Sequence, residues 1–155
     1  MSITITGPHG GKPYDNAIAQ KIQSAVIIMS TKLGIAHVPT EFDIAIGRTV
    51  DKLDGDSEGW CFARQLKKNK RWEVSIFLQR KKHFKDMIII LAHELIHAKQ
   101  FIKDGLDVNS SEFKGKKFSA KNGQSNYWDS PWEKDAYAKQ GVLAEYYFNY
   151  IKKNT

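Results

Sequence analysis

An HExxH motif inside an apolar helical segment is the strongest constraint that this sequence places on its own fold. His93, Glu94 and His97 follow a run, residues 87–92, in which every side chain is apolar. At about 3.6 residues per turn, positions four apart lie above one another on a helix, so both imidazoles can bind one metal ion. Burying unpartnered polar groups costs free energy, and a metal ion would satisfy all three side chains. The segment therefore predicts a buried helix with a metal site, against the simpler interpretation of hydrogen-bonded or exposed histidines.

The expected metal needs a third protein ligand. Imidazole nitrogen and carboxylate oxygen atoms suit zinc, which takes three protein ligands at catalytic sites and keeps a fourth position open for water. The best candidate is Glu133, in the first turn of the last predicted helix, followed by Asp135 and then Asp129. A capping box formed by Ser130, Pro131 and Glu133 would explain the same residues without metal. The sequence thus predicts one Zn²⁺ per chain and leaves Glu133 with two interpretations.

Alternating and helically spaced apolar residues predict the secondary structure. The expected elements are a strand at 3–6, a helix at 14–33, strands at 42–46, 60–64 and 71–78, the motif helix at 84–103 and a final helix at 131–151. This order indicates an α+β fold, in which a small, mostly antiparallel sheet packs on an N-terminal helix, the HExxH helix and a C-terminal helix. Segment 71–79 is expected to be an edge strand that an extended peptide could join. A length of 155 residues indicates a single domain, 1–155.

Charge and composition restrict the partners. The formal net charge is +7, with basic clusters at 67–71, 80–82 and 114–117. Such clusters are typical of solvated turns, and they also permit attraction to nucleic acid. No apolar run approaches the roughly 20 residues that cross a bilayer, and the first residues lack the layout of a secretory signal. We expect a soluble cytoplasmic protein with no membrane partner, and the single cysteine, Cys61, excludes an intrachain disulfide.

Zinc-dependent hydrolysis would give two further residues a role. Glu94 would accept a proton from the activated water and pass it to the leaving amine. The developing oxyanion needs a second stabiliser beside the metal, for which Tyr137 is the first candidate and Tyr127 the alternative. Packing is the simpler interpretation of both tyrosines.

The segments HELIHAKQ at 93–100 and YWDSPWEKDAY at 127–137, with a basic, glycine-containing stretch at 114–116 between them, carry a family resemblance. They resemble the patterns HELxHxxQ and YWxxPWExEAY of small SprT-like or gluzincin-like metallopeptidases of bacteriophage and bacterial genomes. The resemblance covers about residues 88–141. It implies a minimal zincin-like fold, a zinc ion and Glu133 as the third ligand.

Two departures from these patterns stand out. Asp135 stands where the family pattern has the longer glutamate. Asn109 and Ser110 stand where SprT proteases have a third histidine. The second departure favours a glutamate as the third ligand.

These features together predict a zinc-dependent metallopeptidase that acts on protein or peptide substrates. Two alternatives stay open. One is a non-catalytic, zinc-stabilised module that binds nucleic acid or protein. The other is a SprT-like protease that acts on DNA-bound proteins and uses the basic surface to reach them. The expected location is the cytoplasm, that of the host cell if the protein is phage-encoded.

Overall fold

Three helices and six strands make up the part of the chain that the structure, a computed structural model, describes: residues 1–7, 17–48, 58–118 and 130–155. In chain order they are β1 (Ser2–Thr6), α1 (Ala17–Lys32), β2 (Thr40–Gly47), β3 (Gly59–Gln65), β4 (Trp72–Gln79), α2 (Phe84–Lys103), β5 (Glu112–Phe113), β6 (Lys116–Lys117) and α3 (Pro131–Lys153). The predicted α+β class with three helices is confirmed. Two of the sequence candidates, Tyr127 and Asp129, lie outside the described residues.

The main sheet has the strand order β1-β2-β4-β3 and is mixed, so the prediction of a mostly antiparallel sheet was wrong. β1 pairs with β2 in parallel, and β2 pairs with β4 in parallel. Within this sheet the antiparallel pair is β3 and β4, joined by the short turn at 66–71, and β5 and β6 form a separate antiparallel pair. The physical reason lies in the connections. Helix α1 returns the chain to the start of the sheet between β1 and β2, and β4 then inserts between β2 and the outer strand β3.

The predicted edge strand at 71–79 is also wrong, because β4 pairs on both sides. Among the described strands, the edge strand on that side is β3. Alternation along β4 buries Val74, Ile76 and Leu78 on one face. This pattern reports which face of a strand is buried, and it carries no information on how many neighbours the strand has.

One face of the sheet forms the core against the helices. Alternate side chains of β2, namely Phe42, Ile44 and Ile46, are buried in the same cluster as those of β4. Helix α1 contributes Ile22, Val26 and Met29 to this cluster, and α2 contributes Ile88, Leu91 and Leu95. None of the helices within the described ranges has the length and apolar content that a membrane crossing requires.

Helix α2 is buried on most of its surface because it lies between the sheet and α3. Its last turn ends at Asp104, followed by Gly105 with a positive φ of 66°. Helix α3 packs against α2 and α1, and its buried side chains include the small or apolar Ala136, Leu143 and Ala144. The close approach of α2 and α3 places the polar side chains of both within hydrogen-bonding distance at one end.

Strand β3 approaches α2 closely at Gly59. A Cβ atom at this position would lie 2.7 Å from the backbone oxygen of Phe77, 2.8 Å from Cγ2 of Ile90 and 3.4 Å from Cγ of Glu94. The absence of a side chain therefore allows the edge strand to pass directly beside the motif helix. This contact sets the distance between the sheet edge and Glu94.

We predict that Gly59→Ala destabilises the protein by about 1–3 kcal/mol, because the added methyl group overpacks a rigid contact that includes backbone. Gly141→Ala is the matched control, since a Cβ there meets nothing within 4 Å and the residue lies inside α3. Alanine at this helical position should stabilise by about 0.5–1 kcal/mol. Urea unfolding of both variants checks the pair, and an unchanged free energy of unfolding in Gly59→Ala would contradict the proposed close packing.

Candidate metal centre

Helix α2 brings the three polar residues of the motif to one point. The ligand atoms of His93, Glu94 and His97 all lie within 4.8 Å of one another. Glu94 is 3% exposed and His97 is also buried, whereas His93 is partly accessible. The helical spacing therefore has the predicted effect, and one side of the cluster faces outwards at His93.

Helix α3 adds Glu133 to this cluster. Its Oε1 atom lies 2.9 Å from Nε2 of His93 and 2.9 Å from Nε2 of His97, and the two Nε2 atoms are 3.1 Å apart. Glu133 is 1% exposed. In a tetrahedral site with zinc–ligand distances of about 2.0 to 2.1 Å, neighbouring ligand atoms are roughly 3.3 Å apart. The triangle formed by these two nitrogen atoms and one oxygen atom thus has sides a few tenths of an ångström shorter than those of a zinc site. Its three atoms are of the types that bind zinc.

The capping interpretation of Glu133 fits less well. Ser130 occupies the N-cap position, but its side chain makes no capping hydrogen bond to the helix. Pro131 occupies the first turn, as expected for a helix start. The Oε1 atom of Glu133 points at the two histidines. The half of a capping box that the Ser130 side chain would supply is therefore missing, while Oε1 of Glu133 faces the metal-ligand candidates.

Hydrogen bonds on the far side of each imidazole define its tautomer. Nδ1 of His97 lies 2.7 Å from Oε1 of Gln100, and Nδ1 of His93 lies 2.8 Å from Oε1 of Gln140. A carboxamide oxygen only accepts hydrogen bonds, so each Nδ1 must carry the proton and donate it. In a neutral imidazole, Nε2 is then left with its lone pair. Both lone pairs face Oε1 of Glu133.

Three electron-rich atoms therefore meet in a buried space. Their mutual repulsion must be offset by protons or by a cation, since buried polar groups without partners are costly. A hydrogen on one Nε2 atom would pair that ring with Oε1 of Glu133 and leave the other Nε2 atom facing the cluster without a donor. A divalent cation satisfies all three atoms at once. Two nitrogens and one carboxylate oxygen are the donor set that zinc accepts.

Glu94 lies beside this triangle and is not one of its corners. Its Oε1 is 4.0 Å from Nε2 of His93, and its Oε2 is buried without a hydrogen-bond partner in the described part of the chain. Burial raises the pKa of Glu94 to about 8; nearby His93 opposes this rise and the Glu133 carboxylate adds to it. A carboxyl group in such a setting can both take up and release a proton near neutral pH.

Tyr137 lies at the outer side of the cluster. Its ring centroid is 4.5 Å from that of His93, and the residue is 45% exposed. Partial burial and the charges of Glu133 and Glu94 raise the pKa of Tyr137, so the hydroxyl keeps its proton at neutral pH and can donate a hydrogen bond. Its role as an oxyanion stabiliser stays a prediction. So does that of Tyr127, which lies outside the described residues.

Asp135, the second candidate ligand, lies away from the three donor atoms. Its Oδ2 accepts a hydrogen bond from Nε2 of Gln100 at 2.9 Å, and its Oδ1 lies 2.6 Å from Nζ of Lys139. Sequence reasoning did not assign roles to Gln100 and Gln140. The available signals were the position of Gln100 three residues after His97 and the position of Gln140 on the helical face that carries Glu133.

The basic clusters lie at the surface where the structure describes them. Lys67, Lys68 and Lys70 are exposed at the turn between β3 and β4. Lys116 and Lys117 form β6 and are exposed as well. Lys81 differs, because its Nζ lies 2.8 Å from Oε1 of Glu58. The three exposed lysines make the β3–β4 turn a compact positive surface.

Comparison with known proteins yields no match to a family model, to a curated protein or to a solved structure.

We predict that the metal-free protein loses stability as the pH rises from about 5 to 8. Unfolded chains release the carboxyl proton of Glu94 near its ordinary pKa of 4.5, whereas the folded protein retains it up to a pKa of about 8. Between these values the unfolded state binds fewer protons, so the free energy of unfolding falls with pH, by up to a few kcal/mol at about 1.4 kcal/mol per pKa unit. Urea unfolding in the presence of a chelator measures this slope.

Glu94→Gln should flatten the slope, since glutamine does not titrate. Glu145→Gln, at an exposed position of α3, is the matched control and should keep the wild-type slope. Equal slopes in wild type and Glu94→Gln would show that burial of this carboxyl does not govern the pH dependence.

Proposed function

We propose that this protein is a zinc-dependent metallopeptidase of a minimal zincin-like type. His93, His97 and Glu133 hold one Zn²⁺, and Glu94 is the general base. The observation that carries the proposal is the meeting of three lone-pair atoms within 3.1 Å of one another, beside a buried carboxylate oxygen that has no hydrogen-bond partner in the described part of the chain. A purely structural metal site would not need that second carboxylate.

The chemical role of each group follows from the position of its side chain. Bound zinc supplies a Lewis acid that polarises a peptide carbonyl and makes water more acidic. The Glu94 carboxylate would take a proton from the attacking water and deliver it to the amine nitrogen as the peptide C–N bond breaks, for which a raised pKa is favourable. Tyr137 donates a hydrogen bond from its hydroxyl group to the oxygen that becomes negative in the transition state. His93 marks the accessible side, so substrate enters there.

The free edge of β3 is the proposed place for an extended substrate. Its backbone is not paired on the outer side with any strand of the described residues, and a peptide can add there as a further strand. Gly59 lies at the beginning of this strand and next to Cγ of Glu94, so a peptide along the edge would reach the proton acceptor. The substrate class is therefore an unfolded or flexible protein segment.

A second candidate function is proteolysis of nucleic-acid-bound proteins. It is favoured by the net charge of +7 and by the exposed Lys67, Lys68 and Lys70 at the β3–β4 turn. This turn is continuous with β3, the proposed substrate strand. Lysines that neutralise phosphates would bring the edge strand to proteins on DNA or RNA.

We predict that purified wild-type protein contains about one zinc per chain and that His97→Ala and Glu133→Ala lose it, because each variant removes one corner of the donor triangle. Glu94→Gln should keep its zinc and lose hydrolysis of an unfolded protein substrate by about 10²- to 10⁴-fold, the usual contribution of a general base. Elemental analysis and a fluorescent unfolded-casein assay provide the two measurements.

Glu145→Ala is the control for both, since it is exposed on α3 and far along the helix from Glu133. Zinc without any turnover in wild type would favour the non-catalytic, zinc-stabilised module. Absence of zinc in wild type after zinc is supplied would refute the metal site itself. Zinc retained in Glu133→Ala would refute Glu133 as the third ligand.

We further predict that wild-type protein binds single- or double-stranded DNA with an affinity that falls steeply with salt. Replacing Lys67, Lys68 and Lys70 by alanine should reduce the slope of log affinity against log salt by up to about 3, because each lysine neutralises about one phosphate. Lys152→Ala and Lys153→Ala, at the end of α3, serve as the control for a change in net charge alone. Undetectable binding in low salt would remove the nucleic-acid function.

A further inference from the structure

Gln100 joins the two helices that carry the donor atoms. It is 0% exposed, and both the oxygen and the nitrogen of its carboxamide are hydrogen-bonded. Oε1 faces Nδ1 of His97 at 2.7 Å, and Nε2 donates to the backbone oxygen of Trp132 and to Oδ2 of Asp135, each at 2.9 Å. We propose that Gln100 is a positioning residue of the zinc site. It orients the ring of His97 and fixes the position of the first turn of α3 relative to α2. This inference rests on the proposed zinc site.

The carboxamide of Gln100 has only one orientation that fits. A flip would place its NH₂ group against the N–H of His97 and its oxygen against two acceptors, the carbonyl of Trp132 and the carboxylate of Asp135. In the observed orientation both amide hydrogens are used, and the oxygen accepts from the ring. The group therefore forces the proton of His97 onto Nδ1 and leaves Nε2 with the lone pair that a metal requires.

The same side chain determines where Glu133 lies. Trp132 precedes Glu133 and Asp135 follows it by two positions, so the two hydrogen bonds from Gln100 hold the first turn of α3 on both sides of the third donor. Gln100 therefore links the two residues, His97 and Glu133, whose Nε2 and Oε1 atoms lie 2.9 Å apart. One residue thus sets both the ring orientation and the position of the carboxylate that meets it.

Asp135 adds an electrostatic component. Its carboxylate is mostly buried and polarises the amide of Gln100, which makes the amide oxygen a better acceptor for His97. A stronger hydrogen bond at Nδ1 makes Nε2 a better electron-pair donor. Partners of this kind commonly change metal affinity by about 10- to 100-fold when they are removed.

A merely structural role for Gln100 would have a different signature. If Gln100 only filled a buried polar position between α2 and α3, its loss would lower stability and leave zinc affinity as it is. Leu143→Ala provides the comparison, because Leu143 is buried in α3 and belongs to the core and not to the donor cluster. It should lower the free energy of unfolding without altering the zinc site.

The first test is zinc affinity, measured by competition with a chromophoric chelator. Gln100→Met, similar in length and without hydrogen-bonding groups of the amide type, should bind zinc about 10- to 100-fold more weakly than wild type. Leu143→Ala should bind it within about threefold of wild type although it is less stable, because it leaves the ligands and their partners in place. Equal affinity in wild type and Gln100→Met, or equal weakening in both variants, would overturn the proposal.

The second test exchanges the hydrogen-bonding pattern. Gln100→Glu retains an acceptor for His97 but sets a carboxylate oxygen against Oδ2 of Asp135, so zinc affinity should fall. Adding Asp135→Asn supplies an N–H donor opposite the new carboxylate. The double variant should therefore bind zinc at least about tenfold more tightly than Gln100→Glu alone. A double variant no better than Gln100→Glu alone would contradict the relay from Asp135 through Gln100 to His97.

A third readout does not require metal. Nitrogen-15 chemical shifts of the His97 ring in metal-free protein should report the tautomer with the proton on Nδ1, and Gln100→Met should shift the ring towards a mixture. Absence of zinc in wild type would overturn the proposed function together with this positioning role. Zinc held equally by wild type and Gln100→Met would overturn the positioning role alone.

Discussion

The contact between the end of α2 and the start of α3 is the constraint on which the rest of this structure depends. It brings two imidazole nitrogens and one carboxylate oxygen to within 3.1 Å of one another in a buried space. Such an arrangement is unfavourable in isolation, because three acceptors repel one another. The energy that holds it comes from apolar burial on either side, where α2 packs on the sheet and on the small residues of α3. The apolar packing of the two helices therefore holds this polar cluster in place.

The edge strand β3 is the part of the sheet that lies next to the site. Strand β3 passes beside Glu94 because Gly59 has no side chain, and the mixed topology leaves the outer side of this strand free within the described part of the chain. An all-antiparallel sheet with β4 at the edge would have placed the hairpin differently relative to α2. The inserted position of β4 thus bears on the proposed function, since it decides which backbone is accessible next to the buried carboxyl.

The two buried glutamates, Glu133 and Glu94, have different surroundings. Oε1 of Glu133 faces both imidazoles, whereas Oε1 of Glu94 lies 4.0 Å from Nε2 of His93 and burial raises the pKa of Glu94 to about 8. The raised pKa of Glu94 therefore reflects its burial together with the neighbouring carboxylate. The hydrogen bonds of Gln100 and Gln140 on the opposite sides of the rings keep the lone pairs directed at Glu133 and not at Glu94.

The sequence by itself determined the features that depend on local periodicity: the motif helix at 84–103, the α+β class and the pairing of His93 with His97. It ranked Glu133 first among three candidates for their distant partner, and only the docking of α3 on α2 brought that side chain to the histidines. Strand direction and the identity of the edge strand were decided only in three dimensions, because a half-buried strand alternates in the same way whatever its neighbours. The place of Asp135 and the hydrogen-bond partners of Gln100 were also decided there. Their hydrogen bonds join residues 32 to 35 positions apart, and such bonds exist only once the two helices have docked.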